Sequence, residues 1–231
     1  MIALTFDTDW VKDETLKQVV SILKKKKIKA TFFSTDHYPC LEHRLFEVNP
    51  HFNFNSEYSD YLKVFKKFRQ HYPKSVSIRH HSLYFHERLR QTWENAGIKY
   101  TSNTFQPLVS NIKPYWITKN ILEIPIYFMD YWYLENFGQE TDFTLKSLNL
   151  KKPGLKVFDF HPIHLSLNTP NLTYYEKCRQ KYPHLHQTPS AIEKECYQGD
   201  GIFTLFEKLI NYLVEKNIPT YTLKEIYKNE I

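Results

Sequence analysis

Apolar and polar positions along the chain follow the pattern of strands that alternate with helices. An apolar run over 2–6 ends in acidic residues and predicts a strand buried in a parallel sheet. Apolar residues at helical spacing come next, after two acidic residues that favour a helix N-terminus, at Leu16, Val19, Val20 and Leu23. The same reading predicts further helices around 58–68, 84–96 and 204–216, and further strands at 28–35, 45–48, 76–80, 98–104, 121–128, 155–160 and 219–223.

This order of elements predicts an α/β fold. Strands joined through helices run parallel, so we expect about seven mostly parallel strands in an open sheet or a distorted barrel. No repeat, low-complexity tract or flexible linker divides the 231 residues, which favours a single domain over 1–231. The segment at about 169–201 carries clustered prolines and glycines and predicts a loop-rich excursion from that domain.

The charge and the glycine content of the chain argue against nucleic-acid binding and against nucleotide-binding loops. The chain has 31 Lys+Arg against 25 Asp+Glu, a net charge of +6, and part of the excess is the lysine run 24–27. We interpret that run as a solvated helix C-terminus, where cations complement the helix dipole, and expect no nucleic-acid partner. The five glycines form no dinucleotide-binding or P-loop pattern, which argues against those chemistries.

Location is predicted from what the sequence lacks. No window approaches the ~18 consecutive apolar residues of a membrane-spanning helix. The first residues enter a strand pattern at once, without the basic and apolar regions of a secretory signal, and the three cysteines are far apart. We therefore expect a cytoplasmic protein with reduced thiols. A peripheral contact with membrane-bound glycans is compatible with the positive charge, and the oligomeric state is left open.

Polar residues gather at the ends of five predicted strands. Because the C-terminal ends of parallel strands meet at one rim, these side chains are expected to lie together: Asp7, Asp9, His51, Arg79, His81, Asp130 and His161. Each alone is compatible with an ordinary turn acid, loop histidine or surface ion pair. Together they favour a site in which carboxylate and imidazole groups bind a divalent metal. A second carboxylate there can act as a base towards water, and a separate histidine can protonate a leaving group.

Several segments resemble a known family. The segments TFDTDW (5–10) and ATFF (30–33) resemble the opening of the polysaccharide deacetylase family, the NodB-homology or carbohydrate esterase family 4 domain. The spacing of the two acids, with one residue between them, resembles that of an offshoot of the family linked to bacterial surface-polysaccharide clusters. Segments 47–54 and 77–83 resemble its E-x-G-x-H-P-N-F and R-x-H-S-L motifs, and 99–103 and 157–162 continue the match in order.

The resemblance implies a NodB-like distorted (β/α) barrel and an enzyme activity. That activity is metal-dependent hydrolysis of an N-acetyl or N-formyl group on a sugar of a bacterial surface glycan or its precursor. The implied roles are general base for Asp7, metal ligands for Asp9 and His51, orientation of the base for Arg79, general acid for His161, and orientation of that histidine for Asp130. The partner implied is a sugar or glycan substrate.

One departure from the family pattern concerns the metal. The second histidine of the family's H-x-x-x-H motif falls at Asn55, so His81 is expected as the replacement ligand. The expected cofactor is zinc, with nickel, cobalt or magnesium as alternatives. Two other functions stay open: an inactive glycan-binding or scaffolding descendant, and an amidohydrolase acting on a small non-sugar amide. Aromatic residues expected to stack on sugar rings are Trp10, Tyr84, Tyr127 and Trp132.

Overall fold

The computed structural model describes residues 1–53, 61–137 and 143–231. Asn55 and the beginning of the helix predicted from residue 58 lie outside these residues. The strands are β1 (Ile2–Asp7), β2 (Ala30–Ser34), β3 (Phe46–Phe52), β4 (Ser77–His80), β5 (Tyr100–Thr101), β6 (Tyr115–Trp116), β7 (Leu122–Glu123), β8 (Phe128–Met129), β9 (Lys156–Phe160) and β10 (Thr220–Tyr221). The helices are α1 (Asp13–Lys26), α2 (Tyr61–His71), α3 (Leu89–Asn95), α4 (Asp130–Phe137), α5 (Pro162–Ser166), α6 (Leu172–Lys181), α7 (Pro189–Lys194), α8 (Ile202–Glu215) and α9 (Leu223–Glu230).

The strands form one curled sheet in the order β6-β7-β5-β4-β3-β2-β1-β9-β8, and β10 pairs with β1 beside this path. Among the described strands, β6 and β7 run antiparallel and the other pairs run parallel. The order has two ends, β6 and β8, so the curled sheet is an incomplete, distorted barrel. This confirms the α/β, NodB-like barrel predicted from the sequence.

The central strand β1 is buried along its whole length and has neighbouring strands on both sides. It pairs with β2 on one side and with β9 on the other, and β10 joins it near Ile2. Its Phe6 ring stacks on Phe32 of β2, with ring centroids 4.9 Å apart, and meets the edge of Phe206 on α8 at 6.1 Å. This packing fixes the end of β1, where the two aspartates lie.

The structure corrects several predicted boundaries. The strand predicted at 121–128 is wrong as a single element: it divides into β7 and β8 around Pro125, which has no N–H for a strand ladder. The helix predicted at 84–96 begins only at Leu89. The residues before it are occupied by a tight turn at His81–Leu83, where Ser82 has φ 58° and Leu83 has φ 52°. Strand β6 was not predicted.

The segment predicted as loop-rich, 169–201, contains the helices α6 and α7. Asn171 caps α6 by accepting a hydrogen bond from the backbone N–H of Tyr174 at 2.8 Å. Pro189 stands at the first position of α7, where its missing N–H costs nothing. Here the prolines and polar residues that suggested loops mark helix N-termini.

Helix α1 explains the lysine run. Asp13 and Glu14 lie in its first turn, Lys24–Lys26 in its last, and Lys27 ends it in the left-handed region with φ 55°. The interpretation of the run as a helix C-terminus is therefore confirmed. No helix in the described part of the chain has both the length and the apolar character to cross a membrane.

Candidate active site

The loop after β1 turns sharply at Asp9 and Trp10. The backbone N–H of Val11 donates to the carbonyl of Thr8 at 3.0 Å, and both residues between them have positive φ, 40° for Asp9 and 59° for Trp10. Positive φ at both central positions is the mark of a type I′ turn. It costs about 1–2 kcal/mol for each residue with a side chain. The turn therefore depends on contacts from its surroundings.

The Asp9 carboxylate lies between two imidazoles. Its Oδ1 is 3.1 Å from Nε2 of His51 at the end of β3 and 3.2 Å from Nδ1 of His81, directly after β4. Strands β3 and β4 are parallel neighbours, which brings both histidines to the same rim. One ligand atom from each of these three residues lies within 4.8 Å of the others, so they form a candidate metal-binding cluster.

The His51 ring tests whether this cluster suits a cation. Its Nδ1 is 3.1 Å from the carbonyl oxygen of Arg79, which can only accept, so Nδ1 carries the proton. Its Nε2 is buried and faces Asp9 and also Asp7 (3.7 Å to Oδ2), but it makes no well-aligned hydrogen bond to the described residues. A nitrogen lone pair beside two carboxylates is unfavourable unless a proton or a cation lies between them. The donor set of one carboxylate and two imidazoles is one that zinc accepts.

The charges of the cluster shift the pKa of both partners. Burial disfavours the charged form of the Asp9 carboxyl, but His51, His81 and His161 outweigh it and hold its pKa well below the usual range. Burial likewise opposes the charged form of His51, yet Asp7 and Asp9 raise its pKa. The site thus keeps Asp9 ionised and attracts positive charge.

A second group of buried residues surrounds the Arg79 guanidinium. Its Nη1 donates to Asp7 Oδ1 at 2.9 Å, to Thr5 Oγ1 at 2.9 Å and to Asp159 Oδ1. Its Nε and Nη2 donate to the carbonyl and hydroxyl oxygens of Ser102, both at 2.8 Å. Thr5 and Asp7 share one face of β1 because they are two residues apart, and Asp159 of β9 pairs with Thr5. Arg79 therefore fixes the orientation of the Asp7 carboxylate.

His161 faces the second carboxylate oxygen of Asp9, with its Nε2 3.7 Å from Asp9 Oδ2. Asp130, which begins α4, accepts from its Nδ1 at 2.6 Å and from its backbone N–H at 2.7 Å. Burial lowers the pKa of His161, but Asp130 and the nearby Asp9 and Asp159 raise it well above its usual value. Asp130 thus favours the protonated form of His161, and the Nε2 of that ring faces the cluster.

One cavity of about 780 Å³ is lined at its base by Asp7, Asp9, His51, His81 and His161. The segment 183–187 forms one of its walls. Its large apolar and aromatic lining residues include Trp10, Leu83, Phe105, Met129, Tyr131 and Trp132. A cavity of this size, with convergent polar groups at its base and aromatic walls, is typical of a site for a small organic ligand.

Comparison with known proteins gives this site a family. The model of a family described as WbmS-like polysaccharide deacetylase matches residues 4–179, which include the whole candidate cluster. The chain belongs to the WbmS-like polysaccharide deacetylases. No curated protein matches it.

Solved structures agree with the family and its fold. A candidate polysaccharide deacetylase involved in O-antigen biosynthesis, from Bordetella bronchiseptica, is 26% identical with a TM-score of 0.79, over 91% of this chain and 90% of that one. A family 4 carbohydrate esterase from Bacillus anthracis is 16% identical with a TM-score of 0.50, over 98% and 82%. A 4-alpha-glucanotransferase from Thermococcus litoralis is 14% identical with a TM-score of 0.52, over 100% and 38%. The last two show the fold alone.

This WbmS-like deacetylase brings together all the residues that its sequence marked at the strand ends. They lie around one rim of the barrel: Asp7, Asp9, His51, Arg79, His81, Asp130 and His161. Of the aromatic residues expected to contact a sugar, Trp10 and Trp132 line the cavity. Tyr127 does not, because its side chain is buried elsewhere and its hydroxyl donates to the carbonyl of Leu148 at 3.0 Å; Tyr84 is exposed outside the cavity lining.

Sequence reasoning gave no role to Asp159. It is fully buried, and burial, with Asp7 nearby, raises its pKa to about 7 despite the opposing effect of Arg79. Its signal was an acid between two phenylalanines in a strand, two residues before His161 and on the same face. His186 and Gln187 were also missed, because they lie in the segment interpreted as a loop-rich excursion.

Proposed function

We propose that this protein is a metal-dependent carbohydrate deacetylase, which hydrolyses an N-acetyl or N-formyl group on a sugar of a bacterial surface glycan or its precursor. The observation that carries the proposal is the position of His51 Nε2, which is buried beside the carboxylates of Asp7 and Asp9. In the neutral imidazole this nitrogen carries no proton, so it is free to bind a cation. Asp9, His51 and His81 would hold the metal, with zinc first and nickel, cobalt or magnesium as alternatives. The surface-glycan substrate is supported by the relative named for O-antigen biosynthesis.

The carboxylate of Asp7 suits the role of general base. When bound, a divalent cation at the cluster would polarise the amide carbonyl and lower the pKa of a water molecule there towards about 7. Asp7 Oδ2 faces the same space, while Oδ1 is held by Arg79. One carboxylate oxygen is therefore free of the guanidinium to accept the proton of the attacking water.

His161 suits the role of general acid. Its Nδ1 proton is engaged by Asp130, so the proton that it can deliver is on Nε2, the atom that faces the cluster. It would protonate the departing amine nitrogen as the carbon–nitrogen bond breaks. The products are acetate, or formate, and a free amino sugar. Side-chain atoms of Asp7 and His161 lie within 4.8 Å of each other, so the base and the acid would act on the same bound amide group.

The test is an assay of the purified chain, stripped with a chelator and reloaded separately with zinc, cobalt, nickel or magnesium. N-acetyl and N-formyl amino sugars, free and as oligosaccharides, are compared with simple amides by measuring released acetate or formate and free amine. We expect metal-dependent release from the sugars alone. Binding of an oligosaccharide without metal and without release would instead favour the inactive glycan-binding protein, and turnover of simple amides the non-sugar amidohydrolase.

The place of action belongs to the same proposal. A cytoplasmic enzyme would meet a glycan precursor before its export, and a peripheral contact would suffice to reach a membrane-linked one. Fractionation of cells that make the protein at native level tests this, with the chain expected in the cytoplasmic fraction or washed from membranes by salt.

A further inference from the structure

The turn that contains Asp9 is hydrogen-bonded to a distant segment of the chain that also lines the cavity. Within the turn, Val11 donates to Thr8, and the N–H of Trp10 donates to Thr35 Oγ1 at 3.0 Å, which ties the turn to the end of β2. The carbonyl oxygens of the two central residues, Asp9 and Trp10, are not used in these bonds. Both accept hydrogen bonds from side chains of the segment Leu185–Gln187, which lies more than 170 residues later in the chain.

Two consecutive side chains make this connection. His186 Nδ1 lies 2.7 Å from the carbonyl oxygen of Asp9, and Gln187 Nε2 donates to the carbonyl oxygen of Trp10. A carbonyl oxygen can only accept, so the His186 ring carries its proton on Nδ1 and donates it. Its other nitrogen, Nε2, is 2.7 Å from the hydroxyl of Tyr175 on α6, which fixes the ring plane.

We propose that His186, assisted by Gln187, is a positioning residue of the metal site, acting through the backbone of Asp9. The inference rests on the proposed metal site formed by Asp9, His51 and His81. With positive φ at two residues that bear side chains, the turn has little tendency to keep this shape by itself. The two donors hold it in the conformation that brings the Asp9 carboxylate within 3.1 Å of His51 and 3.2 Å of His81.

The two donors of this link lie beyond the residues that the family model matches. The family model matches residues 4–179, whereas His186 and Gln187 follow it. The same short segment also lines the cavity. The wall that a sugar would touch and the backbone of a candidate metal ligand are thus one connected unit, with Tyr175 anchoring it to α6.

A matched pair of substitutions separates donation by His186 from mere packing. In His186→Asn the amide nitrogen takes nearly the place of Nδ1 and can still donate to Asp9, whereas in His186→Gln it lies nearer the place of Nε2 and cannot. The affinity for Zn²⁺ is measured by competition with a chromogenic chelator, and the coordination by the absorption spectrum of the Co²⁺-loaded protein. Each metal-free variant is melted to establish that it folds.

We expect His186→Gln to bind Zn²⁺ about 10–100-fold more weakly than the wild type and to change the Co²⁺ spectrum, as for other residues that orient a ligand. His186→Asn should stay near the wild type. Gln187→Ala should weaken binding in the same direction and decides the question if His186→Gln does not fold. The half-buried His37, paired with Glu42 outside the cavity lining, supplies the controls His37→Asn and His37→Gln, which should bind Zn²⁺ as the wild type does.

The outcomes are distinguishable. A wild-type chain that binds neither Zn²⁺ nor Co²⁺ overturns the proposed function and this inference with it. A wild type that binds Zn²⁺, with His186→Gln and Gln187→Ala binding equally well, overturns this inference alone. Equal loss in His186→Asn and His186→Gln, with both variants folded, also overturns it, because the Nδ1 donor would then make no difference.

Discussion

Asp130 grips His161 with both carboxylate oxygens: one accepts from the ring Nδ1 at 2.6 Å and the other from the backbone N–H at 2.7 Å. Asp130 is fully buried, so its carboxylate is shielded from water. Burial by itself lowers the pKa of His161, and the negative charge of Asp130 is the first of the groups that raise it. The pair therefore sets both the direction of the imidazole and the pH at which it loses its proton.

We expect Asp130→Asn to move the alkaline limb of the pH–rate profile to lower pH. A raised pKa keeps the general acid protonated until the pH rises through that value, so removal of the negative charge lowers the pH at which activity declines. The measurement is kcat/KM across the pH range, with Zn²⁺ affinity determined in parallel. An alkaline limb that does not move, in a variant that binds metal normally, would remove Asp130 from this role.

Asp7→Asn should bind metal as tightly as the wild type and lose turnover by about 10²–10⁴-fold, the usual share of a general base. The amide keeps the size of the side chain and can still accept from Arg79, but it cannot take a proton from water. Rates under saturating Zn²⁺ and a metal titration on the same sample check both parts. Unchanged turnover would contradict the assignment of the base.

Arg79→Lys should lower both stability and turnover. A lysine keeps the charge, but it cannot serve two carboxylates and both oxygens of Ser102 at once. Each buried acceptor left without a donor costs about 1–3 kcal/mol, which urea unfolding detects. Arg90→Lys is the matched control, since its partner Glu87 is largely exposed and such pairs contribute about 0–1 kcal/mol. Equal stability of the two variants would contradict the account of Arg79.

Metal should stabilise the folded chain. At a free Zn²⁺ concentration 100 times the Kd, binding to the folded state alone adds about 2.7 kcal/mol to the free energy of unfolding. We expect this gain to vanish on chelation and in Asp9→Ala and His51→Ala, and to persist in His37→Ala. His81→Ala tests the third ligand separately. If it retains the full gain, His81 is not a ligand.

Asp159 should make stability depend on pH in the direction opposite to an ordinary ion-paired acid. Its folded-state pKa of about 7 lies above the value of an unfolded aspartate, so the folded chain binds the proton more tightly. Its contribution to stability is present at low pH and is lost as the pH rises towards 7. In urea unfolding of the metal-free proteins, the free energy of unfolding of Asp159→Asn should rise relative to that of the wild type as the pH increases. A difference in this free energy that does not change with pH would contradict the prediction.

The sequence predicted the barrel and the seven strand-end residues because one rule covers them both. Residues such as Asp7 and His51 follow apolar runs, and parallel strands bring their C-terminal ends to one rim. The rule needs only the order of the elements, so errors in boundaries such as that of α3 did not affect it.

The residues that sequence reasoning missed depend on contacts between distant segments. Asp159 lies inside a strand rather than at its end, and its importance comes from sharing Arg79 with Asp7. His186 is connected to Asp9 through a backbone carbonyl, which leaves no residue-type signature in the sequence. Tyr127 was misassigned because it lies between β7 and β8, where the alternation expected of one continuous strand does not predict which way a side chain faces.

The position of β1 at the centre of the sheet has a consequence for how the chain is made. Strand β1 leaves the ribosome before its partners β9 and β10, so Thr5 meets Asp159 only after 154 further residues have been made. Such distant pairings slow folding, and an apolar strand with unpaired edges attracts other chains in the meantime. Newly synthesised molecules should therefore need chaperone protection until the last strand has docked.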